Sequence, residues 1–158
     1  MNKFQFVTNY LLENNLTIST AESITGGLIA GRLVDCPGIS KAFHRGYVTY
    51  SEEAKTEMIG VNGNIIRTFG AVSAECARKM AVGAKNSADS DIAIASTGLA
   101  GPDGNYRDPI GTVYIGLAIG KYVMTRKYRF HGSRQIIRRM TVNAAIDFLY
   151  DAIKRINP

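Results

Sequence analysis

Apolar positions recur along this chain with two periods, and each change of period marks an element. Phe4, Val7 and Leu11 fall at helical spacing, with Phe6 and Tyr10 beside them, which predicts a short helix over residues 4–12. From Thr17 the pattern turns β-branched, passes through small polar residues to Gly26 and Gly27, and becomes an apolar helical stripe reaching Val34. That is a strand, a tight turn and a helix, stopped by Pro37 and Gly38. Residues 43–50 are aromatic and β-branched and read as a strand, in which Gly46 marks a bulge or a close backbone approach. Ser51 is placed to cap a helix, with Glu52 and Glu53 at its positive end. Residues 60–70 read as turn. Ser73 caps a further helix with Ala77, Met80, Ala81 and Ala84 on one face, and residues 91–97 form a buried strand. Residues 98–109 carry several chain breakers and are long for a connection, which favours a functional loop. Residues 110–119 and 122–130 alternate as a hairpin through Gly120 and Lys121. Ser133 caps a final helix striped by Ile137, Met140, Ala144, Ala145, Phe148, Leu149, Ala152, Ile153 and Ile156. The order implies an α/β protein with helices on both faces of one sheet, a single domain over residues 1–158 without repeat or linker.

Composition narrows the class. With 46% hydrophobic and 20% charged residues, 158 residues suffice for a core without staples. Cys36 and Cys76 lack the spacing of a metal knuckle or disulfide framework and read as thiols of a reducing compartment. Residues 1–15 lack the apolar run of a signal peptide, and no stretch is long enough to span a membrane, so a cytoplasmic protein is expected. The net charge of +6 is concentrated in Lys121, Arg126, Lys127, Arg129, Arg134, Arg138 and Arg139. Such a segment suits a phosphorylated small substrate or is simply a solvated face. Without a stacking motif or helix-turn-helix pattern, nucleic acid ranks below both.

Candidate chemistry centres on the turn after the first strand. Ser23 there is either a nucleophile beside backbone N–H donors or, with Thr25, an ordinary helix cap. His44 and His131 are the only histidines and no Gly-x-Ser-x-Gly elbow exists, so a Ser-His-Asp triad is poorly supported. No His/Cys/Asp cluster has metal-ligand spacing, and the glycines of 98–104 match neither phosphate-loop pattern. Serine with lysine remains. Tyr50 and Lys55 flank the Ser51 cap at the two positions whose side chains meet in a hydrophobic staple, which predicts that the Tyr50 phenol and the Lys55 stem are neighbours. The bland alternative for Lys55 is a surface ion pair with Glu52.

Six motifs occur in one order: residues 20–27 (TAESITGG), 46–55 (GYVTYSEEAK), 70–73 (GAVS), 97–102 (TGLAGP), 111–113 (GTV) and 130–134 (FHGSR). Together they resemble the CinA C-terminal domain family, whose stand-alone members are nicotinamide-nucleotide amidases. The resemblance implies a three-layer α/β/α domain around a mixed sheet that deamidates nicotinamide mononucleotide to nicotinate mononucleotide and ammonia, without metal or organic cofactor. It implies a nucleotide substrate as the main partner, no membrane, and a homodimer. The family's nucleophile falls on Ser23 and its catalytic tyrosine and lysine on Tyr50 and Lys55. Substrate-binding positions fall on Thr25, Gly26, Gly27, Thr97, Gly98 and Arg134, with the oxyanion held by N–H groups of residues 24–27. Ile24 stands where the family usually has cysteine, Asp108 where it often has lysine, and Ser133 where it often has aspartate. Loss of the lysine lowers the positive charge available to an anionic substrate, which leaves an amidase for another anionic amide as one alternative. A non-catalytic adaptor using the basic segment to bind nucleic acid or a protein of the competence and repair machinery is another.

Overall fold

The computed structural model describes residues 1–157. Five strands, β1 (Ile18–Glu22), β2 (Phe43–Val48), β3 (Ile92–Gly98), β4 (Thr112–Ile119) and β5 (Tyr122–Arg129), form one mixed sheet in the order β2-β1-β3-β4-β5. β1 lies parallel to both β2 and β3, while β3–β4 and β4–β5 are antiparallel. The six α-helices are α1 (Lys3–Glu13), α2 (Leu28–Val34), α3 (Glu52–Ile59), α4 (Gly63–Phe69), α5 (Ala74–Ala88) and α6 (Arg134–Ile156).

The sheet's alternation separates two cores. Ile92 and Ile94 of β3 and Val113, Ile115 and Leu117 of β4 face one core with Leu11, Leu33, Ile137 and Leu149 of α1, α2 and α6. The intervening Ala93, Ala95 and Ala118 face the other, with Ile59 of α3, Ile66 of α4 and Met80 of α5. One face is therefore built of branched aliphatics and the other of small residues, and the small face lets α5 approach closely. A Cβ at Gly116 would lie 2.1 Å from the Ala77 carbonyl oxygen of α5. Gly116→Ala is thus expected to cost roughly 1–3 kcal/mol, the scale of overpacking a filled core, read as a lower denaturant midpoint. An unchanged midpoint would show that α5 is free to move outward.

The expected strands and five of the six helices among the described residues lie where periodicity puts them. Residues 60–70 are a correction: they contain α4, with Asn62 as its N-cap. Glycine at both margins and β-branched Ile65, Ile66 and Thr68 give it little intrinsic helix propensity; burial of Ile66 in the second core holds it in place. A short 3₁₀ turn at Ile39–Lys41 also went unsignalled. Of the two alternatives at Gly46 the close approach holds: a Cβ there would stand 2.7 Å from Thr20 Oγ1, while the β1–β2 register slips two residues earlier, at His44.

Chain direction fixes where a site can form. From β1 the chain reaches β2 through α2, then passes through α3–α5 to β3 on the other side of β1. The carboxyl end of β1 is therefore a topological switch point, where diverging connections leave a crevice. Ser23 is the first residue beyond it.

Candidate active site

A cleft of about 390 Å³ opens at that crevice, bounded by Ser23 and Ile24 after β1, Tyr50 to Glu52 and Lys55 after β2, residues 97–101 and Asp103 after β3, and Arg134 of α6. Ser23 is half-buried and its amide donates to the Ser96 carbonyl at 3.0 Å. It does not cap α2. The cap position is Gly27, which offers no side chain, so the capping alternative for Ser23 and Thr25 is corrected.

The anion at the start of α2 is supplied internally. Glu22, 1% exposed, accepts from the Ile29 amide at 2.7 Å and the Ala30 amide at 3.0 Å. It also accepts from Thr25 Oγ1 at 2.6 Å. Thr25 Oγ1 lies 2.7 Å from Ser96 Oγ as well, so its side chain is spent in a buried polar network. That hydroxyl braces the turn, and Thr25, expected as a substrate-binding position, is not on the cleft wall. Gly26 and Gly27 hold positive φ angles of 56° and 103° that shape the turn, and neither is on the cleft wall. Of the proposed oxyanion donors, the Gly26 amide is committed to the Ser23 carbonyl at 3.1 Å. The Ile24 amide has no hydrogen-bond partner among the described residues.

Lys55 is 2% exposed. Its Nζ lies 3.1 Å from Ser23 Oγ and donates to the Thr49 carbonyl at 2.8 Å. No carboxylate pairs with it among the described residues, so the surface ion pair with Glu52 is absent. Burial pushes the Lys55 ammonium below its ordinary pKa; the negative charge of Glu52, and that of Cys76 once its thiol ionises, works in the opposite direction. Burial also drives the Cys76 thiol up to about 11, against the pull of Lys55. Cys76 is consequently a neutral thiol at neutral pH and lends the ammonium no counter-charge. A neutral amine here has one N–H for Thr49 and a lone pair for the Ser23 hydroxyl proton.

The staple expectation needs correction at its other end. Tyr50 precedes the Ser51 cap of α3 as expected, yet it is 63% exposed and bonded away from Lys55. Its hydroxyl accepts from Arg134 Nη2 at 3.0 Å. Lys55 turns under the strand ends and takes the backbone carbonyl of Thr49 instead, because a buried nitrogen must find an acceptor. Arg134, which lines the cleft, also donates from Nη1 to the Gly101 carbonyl, and its remaining N–H groups have no partner among the described residues. Thr97 is 2% exposed, and its Oγ1 donates to the Ala71 carbonyl at 2.7 Å. It forms part of the cleft wall, and its hydroxyl ties the end of β3 to the loop before α5. Gly98 is wall too, since a Cβ there would press on the Thr112 carbonyl at 2.7 Å and on Ile24 Cδ1 at 3.0 Å.

Sequence reasoning missed Glu22, Ser96, Asp103 and Arg138. Arg138 Nε donates to the Ile24 carbonyl at 2.9 Å and its Nη2 to the Thr25 carbonyl at 3.1 Å. The one signal available was its position four residues after Arg134, which puts both on one face of α6. Asp108 and Ser133, the two departures in charge, lie off the cleft wall, and Ser133 caps α6 through the Ile136 amide.

Comparison with known proteins agrees with this architecture. A competence-damage inducible protein of Clostridium acetobutylicum is 49% identical over 140 residues, covering 88% of this chain and 34% of that protein. One from Clostridium tetani is 49% identical over 144 residues, covering 90% and 35%. The chain thus spans about a third of the length of the curated relatives it matches. Among solved structures, the competence damage-inducible protein A of Klebsiella pneumoniae superposes with a TM-score of 0.92 at 29% identity, covering 98% of both chains. A CinA superfamily protein of Escherichia coli gives 0.89 at 32% identity, covering 92% of this chain and 86% of that one. The sequence model of the CinA C-terminal domain matches residues 2–153, nearly the whole chain, and this protein belongs to that family.

Proposed function

We propose that the chain is a nicotinamide-nucleotide amidohydrolase that converts nicotinamide mononucleotide to nicotinate mononucleotide and ammonia. The observation that carries this reading is the buried Lys55 amine 3.1 Å from the Ser23 hydroxyl, with no carboxylate in an ion pair with it among the described residues. Neutral Lys55 takes the Ser23 proton as Oγ bonds to the carboxamide carbon, and the carbonyl π pair moves to oxygen. The oxyanion forms against the free Ile24 amide. Its collapse breaks the C–N bond, and the Lys55 ammonium returns the proton to nitrogen, releasing ammonia and leaving a nicotinoyl ester on Ser23. Water then adds to the ester with Lys55 accepting its proton, the C–Oγ bond breaks, Ser23 recovers a proton from Lys55, and the acid leaves as carboxylate.

The charges around the cleft suit this substrate at both ends. Arg134, oriented by Tyr50, offers bidentate donors to the phosphate. Glu52 and Asp103 line the same cleft, where their charge favours a cationic pyridinium ring over a neutral one. Much of the basic segment is meanwhile engaged internally. Arg126 pairs with Asp151, and Arg129, Arg134 and Arg138 donate to backbone carbonyls, which favours the enzyme over a nucleic-acid adaptor.

Ammonia release from nicotinamide mononucleotide, compared with free nicotinamide and with the dinucleotide, tests the proposal. Turnover of the mononucleotide above both others is expected; no turnover of any pyridine nucleotide, with salt-dependent DNA binding, replaces it with the adaptor. Arg134→Ala is expected to raise KM for the mononucleotide at least about tenfold, the loss of one charge-assisted phosphate pair. It should change turnover of nicotinamide riboside, which lacks the phosphate, far less. Equal losses on both would make Arg134 a brace for the start of α6.

A further inference from the structure

We infer that Arg138 is a positioning residue that sets and polarises the oxyanion-binding amide of Ile24 from the far side of the turn. This inference rests on the amidase reading of Ser23.

Two peptide planes connect the guanidinium to that amide. Arg138 Nη2 donates to the Thr25 carbonyl at 3.1 Å, which also receives the Leu28 amide at 3.0 Å. The same peptide unit carries the Gly26 N–H on its opposite edge, because a trans peptide points its C=O and N–H in opposite directions. Gly26 N–H donates to the Ser23 carbonyl at 3.1 Å. The next unit, Ser23–Ile24, therefore has its carbonyl pinned, and its N–H is the free Ile24 amide on the cleft wall. Arg138 Nε also holds the Ile24 carbonyl at 2.9 Å, so all three peptide units between Ser23 and Gly26 have a fixed plane.

Orientation is half of the effect and charge is the other half. A cation on the first carbonyl strengthens the next N–H as a donor, and the chain of bonds passes that polarisation along. The Ile24 amide is then a better donor to developing negative charge, in a cleft where such charge is incompletely solvated. Gly26 is built to admit this contact. It sits at φ 56°, and a Cβ there would come within 3.3 Å of Arg138 Nη2. From the other side Glu22 ties Thr25 and the start of α2 to the end of β1, so the turn is held between a buried carboxylate and a guanidinium. Arg138 does not line the cleft and reaches it only through the backbone of Ile24, which separates its role from that of Arg134.

An oxyanion donor acts on the transition state and leaves the bound amide nearly untouched. Arg138→Met, which keeps the stem and removes the guanidinium, is expected to lower kcat for nicotinamide mononucleotide by roughly 10- to 100-fold, less than the loss of a donor itself, with KM within about twofold. Methylguanidinium should restore part of kcat to Arg138→Ala. Pyridine-3-boronate, which becomes a tetrahedral anion on a reactive serine, should bind Arg138→Met more weakly than wild type by a similar factor. The boronate reads the turn without depending on the natural substrate. Wild type that binds boronate but ignores the mononucleotide would sink the proposed substrate and leave the Arg138 comparison standing. A rise in KM at unchanged kcat would make Arg138 a substrate ligand. Unchanged kcat and unchanged boronate affinity in a folded variant would remove any role, and either result overturns the inference. If Arg138→Met fails to fold, Arg138→Lys supplies the test, since an ammonium cannot span both carbonyls; full activity in that variant overturns the inference as well.

Discussion

Ser23→Ala should abolish amide hydrolysis while leaving the fold and the binding of nicotinamide mononucleotide nearly intact. Among the described residues the Ser23 hydroxyl has a single hydrogen-bond partner, Lys55 Nζ, and the turn around it is held by other groups: Glu22 on the α2 amides, Arg138 on the carbonyls of Ile24 and Thr25, and Ser96 on the Ser23 amide. Removing the hydroxyl deletes one bond, worth about 1 kcal/mol, and disturbs none of these. Removing the nucleophile of a covalent mechanism lowers kcat by several orders of magnitude. Ammonia release, thermal melting and calorimetric titration with the mononucleotide measure the three parts separately. Wild-type turnover in the mutant would show that another group attacks the amide. Loss of binding together with loss of turnover would place Ser23 in substrate recognition.

Lys55→Met should lower kcat by about 10²–10⁴-fold, the scale of a lost general base, with a much smaller change in KM. Its second effect is on stability. Burial holds the folded pKa of Lys55 below its ordinary value, so between those two values the unfolded chain binds more protons than the folded one. Stability of the wild type must then rise with pH across that interval. Below it, the full cost of burying the ammonium is present; above the ordinary lysine value, it is gone. Methionine carries no such cost. Wild type should therefore gain stability relative to Lys55→Met as pH rises, and melts of both proteins over an alkaline series measure the slope. The wild-type kcat/KM should climb over the same interval, because only the neutral amine accepts the Ser23 proton. A parallel pH dependence of stability in the two proteins would show that Lys55 titrates alike folded and unfolded, which would exclude it as a base tuned by burial.

The hydrophobic pattern by itself determined the order of elements, because each β-strand here alternates or runs apolar and each longer helix carries a stripe and a polar cap. Ser51, Ser73 and Ser133 are read as caps from sequence and act as caps in the structure, since capping is a bond between residues three apart. The pairing of serine with lysine was also legible, from the absence of a suitable histidine and from the six ordered motifs. What the pattern could not carry is anything that depends on which strand lies beside which. The parallel arrangement of β1 with β2 and β3 creates the crevice, and it brings together residues 32 apart in Ser23 and Lys55 and 84 apart in Tyr50 and Arg134. α4 forms by burying Ile66 against a core that local propensity does not see. The hydrogen-bond partners of Thr25 and Thr97 were illegible for the same reason. A hydroxyl beside a glycine turn can face substrate or interior, and only the packing of Glu22, Ser96 and Ala71 decides which. Burial of Lys55 is likewise a tertiary property. Lys55 lies on α3 and is 2% exposed, and the energy of desolvating its ammonium lowers its pKa.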